Sequence, residues 1–140
     1  MTTSAKSTGA SVTQRLLDAI VTRDFDAMSA VLAPDVRMRA LLPHSIVETD
    51  TAAAAVDTFR EWFGAHKSYE AVTAVQHTIG AREFLSYNLH VRPDWAPDQW
   101  HTVEQSGYCR IADDRVTRLD LVCTGYFLAD RGDDGVQLDV

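Results

Sequence analysis

The sequence has two cysteines, no run of basic residues and no long apolar run. Cys109 and Cys123 do not form a CxxC pair and are expected on opposite faces of one hairpin, which argues against a disulfide or a thiolate metal site. Nucleic acids and anionic membranes attract clustered Lys and Arg, so a net charge of −7 without such clusters makes both poor partners. No segment reaches the roughly 18 apolar residues of a membrane span, and residues 1–11 lack the apolar segment of a signal peptide. These absences predict a cytoplasmic protein.

The rest of the composition is that of an ordinary globular protein. The chain has 140 residues, of which 46% are hydrophobic and 24% charged. A chain of this length buries roughly two thirds of its unfolded surface in one core. Residues 1–11 are small and polar and predict a disordered arm, whereas residues 129–140 predict an acidic flexible tail. The folded domain is therefore expected over residues 12–128.

Apolar spacing near the N-terminus predicts two helices. Apolar residues recur at i, i+4, i+7 and i+8 from Val12, which predicts a helix over about residues 12–22 with Ser11 as its N-cap. Asp24 is placed to cap a second short helix, and Pro34 is expected to end it. The two helices together predict a helical hairpin.

One strand and a third helix follow. Residues 36–42 alternate between apolar and polar side chains, which predicts a short strand. Asp50 or Thr51 is placed to cap a helix over residues 52–63, and Gly64 stands where a left-handed residue often ends a helix.

After the third helix the apolar period changes to two. Four segments rich in Val, Tyr, Leu and Thr predict strands over residues 69–79, 83–91, 102–111 and 116–127. Helices followed by long meandering strands predict an α+β fold, with helices on one face of a curved antiparallel sheet.

The orientation of the last strand decides where Asp120 lies. If Asp113 and Asp114 form a two-residue turn, Gly107 pairs with Asp120. Asp120 then shares an interior face with Gln105 and Tyr87. If the two faces are inverted, Glu104 becomes the interior acid and Asp120 lies on the outside.

The opposite face of the same strands is also partly apolar. An apolar strip on the outside of a sheet often marks a contact between two copies of a chain. The pattern therefore predicts a homodimer through the convex face of the sheet, with a strip formed by Glu104, Tyr108, Leu119, Leu121 and Cys123.

Three segments carry a resemblance to a known family. They are LLDAIVTRDFDAMSAVLAPDVRMRALLP at residues 16–43, FREWFG at 59–64, and LDLVCTGYF at 119–127. In this order of elements the chain resembles the nuclear-transport-factor-two-like superfamily, specifically its SnoaL-like branch, over residues 12–128. The resemblance implies a cone: a curved sheet wrapped around three N-terminal helices, an α+β barrel with a deep apolar pocket, usually in a homodimer.

The family includes ketosteroid isomerase, scytalone dehydratase, limonene epoxide hydrolase and polyketide cyclases, and also proteins that only bind or assemble. The resemblance implies a cofactor-free isomerase, cyclase or lyase, a dehydratase for example, acting on an apolar carbonyl-bearing substrate. The alternative is a non-catalytic ligand-binding or dimeric assembly module of the same fold. The sequence shows no clear His–Asp dyad of the scytalone dehydratase kind and no Arg between two carboxylates as in limonene epoxide hydrolase, which argues against those two specific activities.

Family members often place an acid or a histidine on the long C-terminal strands, and Asp120 and Gln105 are the matching positions. In an apolar cone, desolvation would raise the pKa of Asp120 and suit it to acid–base catalysis. Tyr87 would donate a hydrogen bond to a developing oxyanion, and Gln105 would orient a carbonyl. The alternative is that Asp120 pairs with Arg118 or Arg39, and a bidentate pair of that kind would favour the binding module.

The residues expected to line the pocket are apolar or aromatic: Met38, Phe59, Trp62, Leu89, Val103, Val122 and Trp100. Trp95 and Trp100 are expected at its rim. His90, Asp94, Asp98 and His101 have spacings that would permit a metal site, but the expectation is that they are solvated at the ends of a loop. No metal or cofactor is therefore expected. Arg37 and Arg39 leave one face of a strand, either to a substrate carboxylate or to solvent.

Overall fold

The computed structural model describes residues 8–129, in which three helices accompany a curved, open, mixed sheet of seven strands. The helices are α1 (Thr8–Thr22), α2 (Phe25–Val31) and α3 (Ala52–Phe63). The strands are β1 (Leu32–Leu42), β2 (Ser45–Thr49), β3 (Ser68–Ile79), β4 (Arg82–Arg92), β5 (His101–Ala112), β6 (Arg115–Cys123) and β7 (Phe127–Leu128). The α+β class is confirmed. None of the helices within residues 8–129 is long and apolar enough to cross a membrane.

The first helix begins earlier than the apolar spacing indicates. It starts at Thr8, so residues 8–11 of the predicted arm are helical and Ser11 lies inside the helix rather than at its cap. The remainder of the predicted arm, residues 1–7, and the predicted tail from residue 130 lie outside the described residues.

The other two helices begin at the predicted caps. Asp24 accepts a hydrogen bond from the Ala27 amide at 3.0 Å, and Thr51 accepts one from the Ala54 amide at 3.1 Å. Gly64 does not adopt the left-handed conformation, since its φ is −65°. A Cβ atom at Gly64 would lie 2.6 Å from the Arg60 carbonyl oxygen, so glycine is needed there for space.

The sheet has the strand order β2-β1-β6-β5-β4-β3, with β7 paired to β5. Neighbouring strands run antiparallel except β1 and β6, which run parallel. The expectation of a wholly antiparallel sheet is wrong at this one pairing. The chain reaches β6 from β1 through β2, α3 and three further strands, a long connection of the kind that parallel neighbours require.

The core lies between the helices and the inner face of the sheet. The apolar side chains that fill it are at most 7% exposed, and the largest of them are Tyr87, Phe59, Phe63, Leu16, Leu17, Ile20, Met28, Leu32, Met38, Leu85, Leu89 and Leu119. Each such large apolar side chain contributes about 1.5–3 kcal/mol through burial. On β4 the odd-numbered side chains face inward, as the alternation predicts.

A β-bulge changes the register between β5 and β6. The pairs Ala112–Arg115 and Ile111–Val116 form as predicted, but the register then shifts, and Arg110 pairs with Arg118. Because alternate side chains point to opposite faces, one extra residue reverses every side chain beyond it. Asp120 therefore pairs with Tyr108 and lies on the outer face, and the prediction that it faces inward opposite Gly107 is wrong.

The bulge places apolar side chains inside. Leu119 and Leu121 are each 1% exposed. The register without a bulge would turn both leucines outward and bury Asp120 in their place. Burial of two leucines is favourable and burial of an unpaired carboxylate is costly, so the shifted register is the stable one. Leu119, Leu121 and Cys123 thus leave the predicted outer strip, and Cys109 and Cys123 share the inner face as free thiols.

Gly107 is required by the close approach of β6. A Cβ atom at this position would overlap the carbonyl oxygen of Asp120. We expect Gly107→Ala to lower the free energy of unfolding by about 1–3 kcal/mol through overpacking. The neighbouring substitution Ser106→Ala should change it by less than about 0.5 kcal/mol. Urea denaturation followed by circular dichroism measures both, and equal stability of the two variants would contradict the β5–β6 register.

Candidate functional site

Neither acid considered from the sequence lies in the interior. Arg118 holds Asp120 in a bidentate pair on the outer face, with Nε–Oδ2 and Nη2–Oδ1 distances of 2.9 and 3.2 Å. The two side chains are 43% and 42% exposed. Glu104 is also exposed, because its neighbours Val103 and Gln105 face inward. Val122 is 55% exposed, so its expected place in the pocket lining is wrong.

Tyr87 and Gln105 meet in the interior. The Tyr87 hydroxyl donates a hydrogen bond to the Gln105 side-chain oxygen at 2.5 Å, and the two residues are 0% and 1% exposed. Burial raises the pKa of Tyr87 well above 10, so the phenol is neutral at all ordinary pH values. A buried hydroxyl and a buried amide thus satisfy each other inside an apolar core.

The other expected lining residues lie around this pair or nearer the surface. Met38, Phe59, Leu89 and Val103 are buried in the core. Trp62 is half-buried and contacts Phe59 edge-on, with ring centroids 5.1 Å apart. Trp100 is half-buried under the Arg92 guanidinium, 5.4 Å from its ring centroid.

Five side chains from four parts of the chain form what we call the histidine–tyrosine cluster. His66 follows α3, Asp94 and Trp95 lie in the β4–β5 loop, His101 begins β5, and Tyr126 follows β6. His66 and His101 are each 6% exposed, although histidine is usually more accessible. The fold therefore desolvates two imidazoles beside a phenol and a carboxylate.

His66 connects the carboxylate to the phenol. Its Nε2 lies 2.7 Å from the Tyr126 hydroxyl, and its Nδ1 lies 3.3 Å from Oδ1 of Asp94. The Nδ1 contact is within ion-pair distance but is not aligned as a hydrogen bond, so this buried nitrogen has no hydrogen-bond partner. The Tyr126 hydroxyl also donates to the Trp62 carbonyl oxygen at 3.0 Å.

Two proton arrangements are open to these groups. If Tyr126 donates to Trp62, its oxygen accepts a hydrogen bond from His66 Nε2–H, and the neutral His66 then has an unprotonated Nδ1 facing Asp94 without a hydrogen bond. If Tyr126 donates to His66 instead, Nδ1 carries the proton and faces the carboxylate. The two arrangements differ in the tautomer of His66, so the imidazole can take up a proton at one ring nitrogen and release one at the other.

Burial sets the charge states of the cluster. It lowers the pKa of His66 below 6.5, against the opposing effect of the Asp94 carboxylate, so the imidazole is neutral near pH 7. Burial also raises the pKa of Tyr126, which keeps the phenol protonated. The site thus pairs a neutral base with a neutral acid at the same pH.

Trp95 covers the cluster on the solvent side. Its ring lies 4.9 Å from His101 and 5.5 Å from Tyr126, and its side chain is 60% exposed. His101 Nδ1 donates to the Gln99 carbonyl oxygen at 3.1 Å. The exposed Trp95 and Asp94 mark the end of the cone at which solvent meets the cluster.

Arg23 holds the loop that carries His66. Its Nη1 donates to the carbonyl oxygens of Phe63 and His66, each at 3.0 Å, and its guanidinium lies 4.6 Å from the Tyr69 ring centroid. Arg23 itself has a φ of 56° in the turn between α1 and α2. The main chain around His66 is therefore fixed from the helical hairpin.

Cys123 links the cluster to the interior pair. Tyr87 is paired with Gln105 in the sheet, and Gln105 with Cys123, so the three form one inward row. The Cys123 sulfur accepts a hydrogen bond from the Gly125 amide at 3.4 Å, next to Tyr126 in the chain. Cys123 thus lies between the interior pair and the segment that carries Tyr126.

Little in the sequence indicates this cluster. The spacing of Asp94 and His101 suggests only a metal site, and within residues 8–129 no group of three or more His, Cys, Asp or Glu side chains is arranged to hold one. His66 and Tyr126 are 60 residues apart. The available signals were a histidine just beyond a helix C-terminus and a tyrosine after Gly125, whose φ is +80°.

The chain matches no protein-family model and no curated protein sequence. Solved structures do match. A protein of Xanthomonas campestris pv. campestris assigned as a polyketide cyclase has a TM-score of 0.67 at 20% identity, covering 85% of this chain and 92% of that one. A protein of Kribbella flavida assigned as a ketosteroid isomerase has a TM-score of 0.66 at 16% identity, covering 96% and 91%. An LEH-like epoxide hydrolase of M. tuberculosis has a TM-score of 0.64 at 14% identity, covering 84% and 83%.

These similarities identify the fold. The chain has the nuclear-transport-factor-two-like fold, the cone that the sequence resemblance implied. At identities of 20% or less they carry no information about the reaction, so the function has to be inferred from the residues of this chain.

The depressed pKa of His66 has a consequence for stability. The unfolded chain binds a proton near pH 6.5 and the folded chain only at lower pH, so this contribution is complete above 6.5 and is lost as the pH falls. We expect His66→Gln to flatten the decline in unfolding free energy between about pH 7 and 5. His44→Gln, at an exposed histidine, serves as the control. Denaturant titrations across this range provide the measurement, and parallel curves for wild type and His66→Gln would contradict the assignment.

Proposed function

We propose that the protein is a cofactor-free acid–base enzyme of the isomerase, cyclase or lyase type, acting on a small apolar substrate with a carbonyl group. The observation that carries the proposal is the alignment of Asp94, His66 and Tyr126. A carboxylate at Nδ1 and a hydroxyl at Nε2 form the arrangement in which an imidazole moves protons for a hydroxyl.

Each member of this relay has one role. Tyr126 exchanges a proton with the substrate or stabilises its oxyanion by a hydrogen bond. His66, neutral near pH 7, accepts the proton from Tyr126 or returns it. Asp94 stabilises the imidazolium that forms in between. Its contact with Nδ1 is long in this structure, and such contacts often tighten when the substrate binds.

The surroundings of the relay favour an apolar carbonyl compound. Trp95 offers aromatic surface beside Tyr126, and the interior beyond is apolar apart from the Tyr87–Gln105 pair. The Tyr87 hydroxyl donates to Gln105 in the free protein, and it can donate to a ligand oxygen instead when a ligand binds. Proteins assigned as a polyketide cyclase, a ketosteroid isomerase and an epoxide hydrolase have the same fold, so the proposed reaction is compatible with it.

Solvent deuterium exchange tests the proposal without knowledge of the natural substrate. A panel of apolar cyclic ketones and enones is incubated with the protein in D₂O, and incorporation next to the carbonyl is followed by mass spectrometry. We expect exchange by the wild type and a loss of about 10²–10⁴-fold in His66→Asn, since the variant lacks the base.

Asp120→Asn is the matched control, since it also removes one ionisable group but from the outer face. It should retain the rate within about twofold. Loss of exchange in Asp120→Asn with retention in His66→Asn would overturn the assignment of the relay.

A second candidate function is a ligand-binding module without catalysis. Two observations favour it: Asp120 is held in a bidentate arginine pair, and Tyr87 and Gln105 satisfy each other. In the same panel, a compound that raises the melting temperature of the wild type and of His66→Asn equally, with no deuterium incorporation, would support this alternative.

We also propose a homodimer through the outer face of the sheet, in a cytoplasmic protein. Leu41 is paired with Ile46 on β2 and with Val122 on β6. These three side chains are 40%, 55% and 55% exposed and form one apolar row across three strands. A row of this kind supports a contact with a second copy better than the strip expected from the sequence, from which three residues turn inward.

Light scattering coupled to size-exclusion chromatography tests the dimer. We expect a dimeric mass for the wild type and a monomeric mass for Ile46→Glu/Val122→Glu, since two charges in the contact would be desolvated. Val72→Glu, which places a charge at an exposed valine of β3, should remain dimeric. A monomeric wild type would refute the proposed contact.

A further inference from the structure

Four arginines lie side by side on the outer face of the sheet. Arg118 on β6 is paired with Arg37 on β1 and with Arg110 on β5. On β4 the pairing of Glu83 with Cys109 brings Arg82 next to Arg110. We call Arg37, Arg118, Arg110 and Arg82 the arginine row. With strands about 4.8 Å apart, it extends for about 14 Å.

The charge of the row is largely uncompensated. Asp120 pairs with Arg118, but among residues 8–129 the side chains of Arg37, Arg82 and Arg110 take part in no ion pair or hydrogen bond. Like charges on directly neighbouring strands repel each other and destabilise a sheet. A chain with a net charge of −7 and only 13 basic residues nevertheless places four of them in one line.

The next row on the same face is arranged differently. Arg39 is flanked by Glu48 on β2 and Asp120 on β6, and its Nε lies 3.4 Å from Glu48. The row continues through Tyr108 and Phe84, whose rings are 5.5 Å apart. Charge balance here shows that the excess positive charge is confined to the arginine row.

Two grooves flank Arg118. One, of about 300 Å³, is lined by Arg82, Tyr108, Arg110, Arg118 and Asp120 among others. The other, of about 510 Å³, is lined by Arg37, Arg39, Glu48, Thr49 and Arg118 among others. The Thr49 hydroxyl oxygen is buried there without a hydrogen-bond partner. The arginine row therefore combines cationic side chains with concave surface and an unused hydroxyl.

We propose that the arginine row binds a small multivalent anion, a molecule carrying two or more phosphate or carboxylate groups. Guanidinium groups bind such oxygens in pairs through charge-assisted hydrogen bonds, and their planar forks suit both groups. The length of the row fits two or three anionic groups in a line. Three carboxylates, Asp120 in one groove and Glu48 and Asp50 in the other, repel an anion and limit it to the space beside the unpaired arginines.

This site is distinct from the proposed active site. The arginine row projects from the outer face of the sheet, whereas Tyr87, Gln105 and Cys123 project from the inner face. Along β1 and β6, the arginine row lies two residues from the row of Arg39 and Asp120. It lies four residues from the apolar row of Leu41 and Val122. Binding of an anion and the proposed function therefore stand or fall independently.

Isothermal titration calorimetry with sodium pyrophosphate, at constant ionic strength and on the full chain, tests the site. We expect saturable binding to the wild type and at least about tenfold weaker binding to Arg37→Gln/Arg110→Gln, because each lost charge-assisted contact is worth about that factor. The control, Arg15→Gln/Arg60→Gln, changes the net charge equally at exposed helix positions and should bind within about twofold of wild type.

Citrate in place of pyrophosphate distinguishes the two sources of anionic groups. Tighter binding of pyrophosphate assigns the row to a phosphorylated molecule, and tighter binding of citrate assigns it to a polycarboxylate. Equal affinity of the two double variants for both probes, or no binding by the wild type at about 5 mM, would overturn the proposal. Melting temperatures without ligand verify folding, and at low salt Arg37→Gln/Arg110→Gln should melt no lower than wild type because repulsion is relieved.

Discussion

The alternation of side chains along β6 is the constraint on which the rest of the structure depends. One extra residue near Arg110 and Ile111 sends Leu119, Leu121 and Cys123 inward and Arg118, Asp120 and Val122 outward. Every later feature follows from that choice: the closed apolar core, the polar row inside the cone and the charged rows outside it. The choice is energetic, since a sheet that must cover three helices buries leucines far more cheaply than a carboxylate.

Inside the cone, desolvation rather than charge determines the chemistry. Burial acts in opposite senses on an imidazole and a phenol, lowering the pKa of His66 and raising those of Tyr87 and Tyr126, and so it leaves all three neutral. A proton passed from Tyr126 to His66 leaves a phenolate and an imidazolium, and the Asp94 carboxylate lies beside that imidazolium. Asp94 lies at the exposed margin of the cluster, where its carboxylate stays in contact with solvent and incurs little desolvation cost. The cluster therefore has a carboxylate at the surface and neutral imidazole and phenol groups in the interior.

Local signals in the sequence predicted the parts of the fold that depend on nearby residues. Asp24 and Thr51 cap their helices because a cap needs only an amide three residues away, and the alternation of β4 is visible in its own eleven residues. The bulge was not predictable in this way, since the Asp113–Asp114 turn fixes only the first two pairs and the leucines decide the rest. The parallel pairing of β1 with β6 and the meeting of His66 with Tyr126 are contacts between distant segments, and no local pattern encodes them.

Arg23 ties together parts of the molecule that are otherwise separate. It lies in a turn with positive φ, and its Nη1 donates to the carbonyl oxygens of Phe63, the last residue of α3, and of His66 in the following loop. The α1–α2 turn and the loop of His66 are therefore joined by hydrogen bonds, although they are far apart in sequence. Arg23 fixes the main chain that carries His66, so the geometry of the Asp94–His66–Tyr126 relay depends on a turn whose own side chains take no part in proton transfer.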